Sequence, residues 1–235
     1  MIGPLAHIQP PSPSHRFLDG QKYVYTGEWR IWTAGSATVR LDDMGDAQHV
    51  TATADSTGVV SLLYRVHDRF ESWFDQRSFC SQQILKNSEE GLHKRNTTIS
   101  FDRRRQKAVL DEANLRTGER KHTEQDTPGC VTDVLSGIFY VGSLPLVKGN
   151  TYVFPVSDGK TVDARATVED REPLKTDAGT FNTVRVVVDV PAGVTKEPGR
   201  LWLWYSDDSQ RIPVQMRARL FWGTITFRLT GNENK

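Results

Sequence analysis

The chain has 235 residues, a length typical of one β sandwich or barrel and short for two linked domains. Its 30 basic and 29 acidic side chains are interspersed and give a formal net charge of +1, so no overall field favours nucleic acid or an acidic membrane surface. The longest apolar runs, such as Leu201–Tyr205, are far shorter than the roughly 18 residues that a membrane-spanning helix needs, which excludes a transmembrane segment of that kind.

The first twenty residues are rich in proline and predict an extended, poorly ordered leader over residues 1–20. They lack a charged start followed by an apolar stretch of about 7 to 15 residues, so no secretion signal is visible. The remaining residues, 21–235, are expected to form a single β-rich domain.

Residues 23–41 are rich in aromatic and β-branched side chains and predict a β-hairpin. Thr33–Ser36 provides a turn or bulge signal near the middle. The side chains that share one face at a period of two are Tyr23, Tyr25, Trp29 and Ile31. A further strand is expected over His49–Ala54.

The run Thr57–Tyr64 favours a helical turn, and Arg65–Phe74 after it predicts a strand. The polar residues and the tryptophan of this strand that we take as candidate ligand-binding residues are His67, Asp68, Arg69, Glu71 and Trp73. An acid, a cation and an imidazole together could bind a polar ligand or perform acid–base chemistry. The alternative is an ion-paired face that only fixes the strand register.

Two cysteines, Cys80 and Cys130, flank a strongly charged region. An even count is consistent with one disulfide in an oxidising compartment, and two unrelated buried thiols are the alternative. Residues 89–126 between them predict exposed strands and loops. The basic run Arg103–Lys107 is diluted by neighbouring acids, so a solvated face is expected there and no nucleic-acid binding.

Residues 131–141 predict a helix, because apolar side chains recur at helical spacing and Thr132 or Asp133 can cap its start. From Lys148 onward, turn signals separate candidate strands at the spacing of a β sandwich or barrel. These strands are Thr151–Val156, Thr161–Val168, Val184–Val190, Leu201–Tyr205, Ile212–Leu220 and Ile225–Leu229.

The strand Leu201–Tyr205 is apolar on both faces, so both must be covered, one of them by the helix or by the opposite wall of a barrel. We therefore predict a mainly β protein, an antiparallel barrel or a highly curved sheet or sandwich with one or two short helices packed against it. The tryptophans belong to the core or line an apolar cavity, and Trp202 and Trp204 are candidate ligand-binding residues.

The sequence has no G-x-S-x-G nucleophile elbow and no phosphate-binding loop, and its six histidines are scattered. We therefore predict no catalytic residue, no metal site and no cofactor.

The chain resembles a bacterial family, domain-of-unknown-function family 3108, over about residues 20–230. The residues that carry the resemblance are the hairpin Tyr23–Thr38 with Glu28-Trp29 and Ala34-Gly35, then Tyr64–Ser72, Asp133–Tyr140, Glu172, Thr176–Phe181, Trp202–Asp208 and Arg211–Val214. The resemblance implies a β-rich, barrel-like fold and export to the periplasm or outer cell envelope of a Gram-negative bacterium. It implies no reaction.

We weigh three functions. The first is a non-enzymatic envelope protein that binds a lipid-like, apolar or amphipathic ligand in its barrel, or that assists surface biogenesis with an envelope protein partner. The second is a carbohydrate-active or other hydrolase of the envelope, which would use carboxylates near Asp68 and Glu71 in a cleft. The third is a structural module whose charged segment 89–126 docks on a partner.

Overall fold

The computed structural model describes residues 7–13, 15, 19–29, 32–192, 197–220 and 223–233. Within these ranges the chain forms two short helices, α1 (Gly58–Leu63) and α2 (Val134–Ser143), and fourteen strands. The strands are β1 (Lys22–Trp29), β2 (Trp32–Asp43), β3 (Ala47–Ser56), β4 (Val66–Asp75), β5 (Ser81–Glu90), β6 (His93–Asp102), β7 (Lys107–Asn114), β8 (Arg120–Asp126), β9 (Thr151–Ser157), β10 (Thr161–Thr176), β11 (Gly179–Val190), β12 (Gly199–Ser206), β13 (Pro213–Leu220) and β14 (Gly223–Glu233).

All fourteen strands belong to one antiparallel sheet, in the order β8-β7-β6-β5-β4-β3-β2-β1-β14-β13-β12-β11-β10-β9. Strands β1–β8 form one meander and strands β9–β14 form a second. The β1–β14 ladder joins the two meanders in the middle of the sheet. Because every described strand lies in this one sheet, we propose that residues 21–235 form a single domain.

The sheet is highly curved, and its edge strands β8 and β9 do not pair with each other. The segment that follows β8 spans the gap between the meanders. Ser81 in β5 donates its backbone N–H to the carbonyl of Val131, and Thr132 forms a parallel bridge with Val156 in β9. An ion pair between Lys86 and Asp158 also crosses the gap. The predicted fold class, a highly curved antiparallel sheet with short helices against it, is confirmed.

The first hairpin differs from the prediction in the position of its turn. Strand β1 ends at Trp29, β2 begins at Trp32, and these two residues pair, so the predicted turn at Thr33–Ser36 is wrong. The bulge alternative is right, because Gly27 pairs with Gly35 while Glu28 pairs with Thr33. A Cβ atom on Gly35 would lie 2.1 Å from the Asp55 carbonyl oxygen, so this glycine permits a close approach of β2 and β3. Ile31 lies outside the described residues.

The other predicted elements are confirmed, including the helical turn α1, the helix α2 and the six strands after residue 148. The core lies on the concave face of the sheet, where α2 packs against both meanders. Its largest fully buried side chains include Tyr25, Phe74, Tyr140 and Tyr205. The Tyr25 hydroxyl donates to the Pro213 carbonyl at 2.9 Å, so this inward side chain links β1 to the start of β13.

The described part of the leader runs over α2 in irregular conformation. The backbone N–H of Gln9 donates to the Tyr140 hydroxyl at 2.9 Å, and that of Ser12 donates to the Ser143 carbonyl at 2.8 Å. Ile8 packs against the core. Residues 7–13, expected to be extended and poorly ordered, thus contact the second half of the helix, at Tyr140 and Ser143.

Candidate ligand cavity

Helix α2 begins at a capping box built on Asp133. The Asp133 side chain accepts hydrogen bonds from the backbone N–H groups of Leu135 (2.8 Å) and Ser136 (3.1 Å). The Ser136 hydroxyl in turn accepts the Asp133 backbone N–H at 2.8 Å. Asp133, one of the two predicted caps, therefore satisfies backbone donors that the first helical turn leaves without partners.

The second oxygen of the same carboxylate fixes the helix to the first meander. It accepts hydrogen bonds from the hydroxyls of Ser72 in β4 and Ser81 in β5, both at 2.6 Å. All these groups are buried. Cys80, next to Ser81, and Cys130, three residues before Asp133, are joined in a disulfide with Cα atoms 4.9 Å apart. The start of α2 is thus held to β4 and β5 by a buried carboxylate and a covalent cross-link.

The other side of α2 faces the second meander. The Tyr205 hydroxyl in β12 donates to the Ile138 carbonyl at 2.6 Å. A Cβ atom on Gly142 would lie 2.9 Å from the Tyr205 ring, so the glycine lets the end of the helix approach this ring closely. The helix therefore spans the concave face, from β4 and β5 at its start to β12 at its end.

A cavity of about 940 Å³ lies between α2 and the concave face of β9–β13. Its apolar wall is formed mainly by one side of the helix and by inward side chains of the strands. These residues are Val134, Ile138, Val141, Phe154, Val156, Ala164, Val188, Val190, Leu201, Leu203 and Ala218. The volume lies within the range of about 300–1,000 Å³ typical of small-molecule sites, which are mostly apolar with a few polar groups.

The deep wall and the mouth of this cavity differ in chemistry. Phe154, Ala164 and Leu203 are buried and form the deep wall, whereas the lining residues Arg200 and Arg219 are exposed and mark the mouth. The other exposed lining residues at this end include Glu197 and Pro198. The deep wall is therefore apolar, and the opening lies near the start of β12 and the end of β13, where the arginines alternate with the inward Leu201 and Ala218.

Trp202 and Trp204 point away from the cavity, to the convex face of β12. Trp204 is 5% exposed, and its indole N–H donates to the Glu172 carboxylate at 2.7 Å. The Arg217 guanidinium lies over its ring, 5.4 Å from the centroid, and Arg200 lies 6.0 Å from the Trp202 ring centroid. The expectation that both faces of Leu201–Tyr205 are covered holds, but charged side chains of β10, β13 and β12 itself cover the tryptophan face. Helix α2 covers the other face.

The residues that line the cavity from β12 are instead Leu201 and Leu203, which we did not single out as ligand-binding residues from the sequence. The sequence feature that could have identified the two leucines is the alternation in β13, where Met216 and Ala218 are apolar and Arg217 is charged. Leu203 pairs with Met216 and Trp202 pairs with Arg217, so the leucines share the inner face.

The polar residues predicted on β4 form ion pairs on its convex face. His67 contacts Asp55 at 2.5 Å. Glu71 accepts from Arg69 at 2.9 Å, and this hydrogen bond holds the pKa of the Glu71 carboxyl below its usual value. The other Glu71 oxygen lies 3.0 Å from His49 Nε2, and the His49 ring stacks on Trp73 with centroids 4.3 Å apart. This cluster links β3 to β4 and lies away from the cavity.

Asp68 lies on the opposite, concave face of β4, where it is 7% exposed. Its side chain accepts the backbone N–H of Glu89 at 3.0 Å. Burial, and secondarily the nearby Glu90 carboxylate, raise the pKa of Asp68 to about 6. Because Asp68 and Glu71 project from opposite faces of one strand, they do not converge in one cleft as a pair of catalytic carboxylates would.

Asp68 should make the protein less stable as the pH rises. The folded-state pKa of about 6 lies above the ordinary value of 3.8, so the folded protein binds the extra proton between these values. The free energy of unfolding should therefore fall as the pH rises through this window, and Asp68→Asn should abolish that part of the slope. Urea midpoints measured across the window for both proteins test this. Parallel curves would show that Asp68 titrates normally.

Among the described residues, no three histidine, cysteine, aspartate or glutamate side chains come together as a metal ion would require. Neither α1 nor α2 is long and apolar enough to cross a membrane.

Comparison with solved structures identifies the fold. A β-barrel-like protein of the DUF1849 family from Brucella abortus is similar, with a TM-score of 0.64 and 6% sequence identity, over 93% of this chain and 98% of that chain. A candidate lipoprotein from Parabacteroides distasonis is 11% identical, with a TM-score of 0.38, over 96% of this chain and 100% of that chain. A candidate exported protein with a YmcC-like fold from Bacteroides fragilis is 8% identical, with a TM-score of 0.35, over 94% of this chain and 98% of that chain. Of these three structures, only the one from Brucella abortus has a TM-score high enough to support a structural conclusion. At 6% sequence identity, that similarity shows the fold alone.

Comparison of sequences places the chain in a family. No curated protein matches the sequence. The family model described as "Protein of unknown function (DUF3108)" matches residues 24–230, which include β2–β13 in full and most of β1 and β14. The resemblance found in the sequence is thereby confirmed, and the chain belongs to the DUF3108 family of proteins of unknown function.

Proposed function

We propose that this protein is a non-enzymatic carrier of the bacterial cell envelope, which holds a lipid-like apolar or amphipathic molecule between α2 and the curved sheet. The observation that carries the proposal is the cavity of about 940 Å³ with a predominantly aliphatic wall. A pocket of this size with an apolar wall favours ligands that leave water for hydrophobic reasons.

The polar group in the inner wall does not offer acid–base chemistry. Asp133 lines the cavity, but its two oxygens already accept four hydrogen bonds, from two backbone N–H groups and two serine hydroxyls. A carboxylate with this many fixed donors is fully engaged in capping the helix and fixing it to β4 and β5. This arrangement favours binding over catalysis.

The envelope location is supported by the covalent structure. A disulfide between Cys80 and Cys130 persists in an oxidising compartment such as the bacterial periplasm and is rare in the cytosol. We therefore propose that the carrier works in the periplasm or at the outer envelope.

Replacing a small residue of the cavity wall with a large one should block binding. Ala218 lies on the inner face of β13 next to the mouth, and a phenylalanine there would occupy space that the ligand needs. We expect Ala218→Phe to weaken binding of the uncharged fluorescent probe N-phenyl-1-naphthylamine about tenfold or more, a loss of roughly 1.4 kcal/mol. Probe fluorescence titrations measure the dissociation constants.

Thr224→Phe is the matched control. Thr224 is exposed and pairs with Arg219, the residue that follows Ala218 in β13. It adds the same ring on the convex face and should leave probe affinity unchanged. Equal affinities for wild type and Ala218→Phe, with both proteins folded by circular dichroism, would place the binding site elsewhere and refute the proposal.

A further inference from the structure

The turns of the sheet lie at two opposite ends, because each strand runs antiparallel to its neighbours. One end contains the turns β1–β2, β5–β6 and β7–β8 and the connection from β3 through α1 to β4. The cavity opens at this same end, because the end of β13, the start of β14 and the end of β1 lie side by side. We call it the opening end.

The opening end carries exposed apolar side chains in three successive turns of the first meander. Tyr64 before β4, Leu92 in the β5–β6 turn and Leu115 in the β7–β8 turn are 48%, 71% and 55% exposed. Trp32, also exposed, begins β2 and lies between these turns and the cavity opening. A single exposed apolar side chain is ordinary, but a group of them at one place is typical of an interaction surface.

Hydrogen bonds join the three turns into one surface. The backbone N–H of Gly91 donates to the Arg65 carbonyl at 2.7 Å, and a Cβ atom on Gly91 would lie 3.1 Å from the Tyr64 ring. The β5–β6 turn therefore packs against Tyr64. The backbone N–H of Leu115 donates to the Lys94 carbonyl at 2.9 Å, which places the β7–β8 turn beside the start of β6.

Basic side chains flank the apolar ones in each turn. Arg65 follows Tyr64, Arg116 follows Leu115, and His93-Lys94-Arg95 follows Leu92. We define the turn surface as residues 64–65, 89–95 and 114–120. These segments contain five basic and three acidic side chains, a formal net charge of +2. The core of a protein–protein interface is poor in charged residues, whereas apolar side chains among lysines and arginines are typical of proteins that lie on an anionic bilayer.

We propose that the turn surface docks on an anionic phospholipid bilayer, with Tyr64, Leu92 and Leu115 inserted at the depth of the head groups. The amphipathic tyrosine ring suits this depth, and the leucines bury apolar area there. Arg65 and Arg116 then lie beside lipid phosphates. The docking stands on the turns alone, but its purpose rests on the proposed carrier function, because it directs the cavity opening to the membrane.

Vesicle co-sedimentation measures the docking. Vesicles of phosphatidylglycerol and phosphatidylcholine in equal parts are compared with vesicles of phosphatidylcholine alone, and the bound fraction gives a partition coefficient. At low ionic strength we expect wild type to bind the anionic vesicles about fivefold more strongly or better, since one basic side chain near the surface contributes about that factor. Added salt should reduce the difference, because exposed charges are screened.

Two exposed apolar residues at opposite ends of the sheet test the position of the surface. Leu92→Ser should lower the partition coefficient for anionic vesicles about fivefold or more, because it removes an inserted apolar side chain. Met44→Ser is the matched control. Met44 is 61% exposed in the β2–β3 turn, at the other end of the sheet, where Asp43 and Asp46 flank it. Its loss should leave vesicle binding unchanged, and both variants should unfold as wild type does.

Two exposed arginines test the contribution of charge in the same way. Arg116→Gln should weaken binding to anionic vesicles about fivefold at low ionic strength and leave binding to phosphatidylcholine unchanged. Arg104→Gln is the matched control, since Arg104 is an exposed arginine of the β6–β7 turn at the opposite end. It should bind both kinds of vesicle as wild type does.

The outcomes separate the docking from the carrier function. If wild type does not prefer anionic vesicles, or if Leu92→Ser binds them no more weakly than Met44→Ser, the docking surface is refuted and probe binding still decides the carrier function. If sedimentation of the protein alone shows a dimer that Leu92→Ser dissociates, the turns contact a second copy and the membrane proposal is overturned. If the vesicle results are as expected but wild type binds no probe, the carrier function fails and the docking stands.

Discussion

Replacing Asp133 with alanine should lower the free energy of unfolding by about 3–5 kcal/mol, because the substitution removes an N-cap and leaves buried donors without an acceptor. Two of the four donors are backbone N–H groups of the first helical turn, and the other two are the hydroxyls of Ser72 and Ser81. Only Ser81 keeps a second side-chain contact, 3.1 Å to the Ser136 hydroxyl. Urea denaturation followed by tryptophan fluorescence measures the loss.

Asp102 provides a matched control for this experiment. It also accepts two backbone N–H groups, from Arg104 and Arg105, but it lies at the end of β6, beside an exposed turn and in contact with solvent. Asp102→Ala should therefore cost only about 0.5–1.5 kcal/mol, the value of ordinary solvated hydrogen bonds. Asp133→Asn should recover part of the loss, since the amide oxygen can still accept at the helix start. If Asp133→Ala were no more destabilising than Asp102→Ala, the buried network would not anchor α2.

Removing the disulfide should have an effect of similar size. The cross-link spans 50 positions, and in the chain-entropy model opening a loop of that size costs roughly 4 kcal/mol. The loop that the disulfide closes contains all of β5–β8. The bond therefore fixes the first meander to the chain just before α2. The double variant Cys80→Ala, Cys130→Ala and the reduced wild-type protein should both unfold at lower urea concentrations than the oxidised protein.

The reductant itself needs a control. The double alanine variant has no cysteine left, so dithiothreitol should not change its urea midpoint, whereas it should lower that of wild type. If oxidised and reduced wild type unfolded together, the bond would contribute nothing to stability. Binding of N-phenyl-1-naphthylamine at low denaturant then shows whether the cavity persists when the cross-link is absent.

Local patterns in the sequence were sufficient for most elements of the fold. Helix α2 could be predicted because its apolar spacing coincides with an acidic cap, Asp133, and the antiparallel sheet because turn residues separate short alternating runs. Of the turn and the bulge that Thr33–Ser36 could indicate, the structure contains the bulge, for a physical reason. A glycine in a strand can mark either a turn or a close approach of two backbones, and Gly35 marks a close approach to Asp55 in β3.

The site was harder to predict because it depends on long-range register. A strand that is apolar on both faces does not reveal which face points inward, so Trp202 and Trp204 were as plausible as Leu201 and Leu203. The decisive facts are the pairing of Trp202 with Arg217 and the hydrogen bond from Trp204 to Glu172, 32 positions away in the chain. No local pattern contains either of them.

Within the sheet, the two meanders are joined by a single ladder, the pairing of β1 with β14. The ion pair between Glu28 and Arg228 in this ladder connects positions 200 apart, whereas the other ladders join strands that follow each other in the chain. Loop closure over that distance costs on the order of 3 kcal/mol more entropy than closing a hairpin. This ladder therefore depends on contacts that the hairpins cannot supply, and opening it would give each meander a newly exposed edge strand.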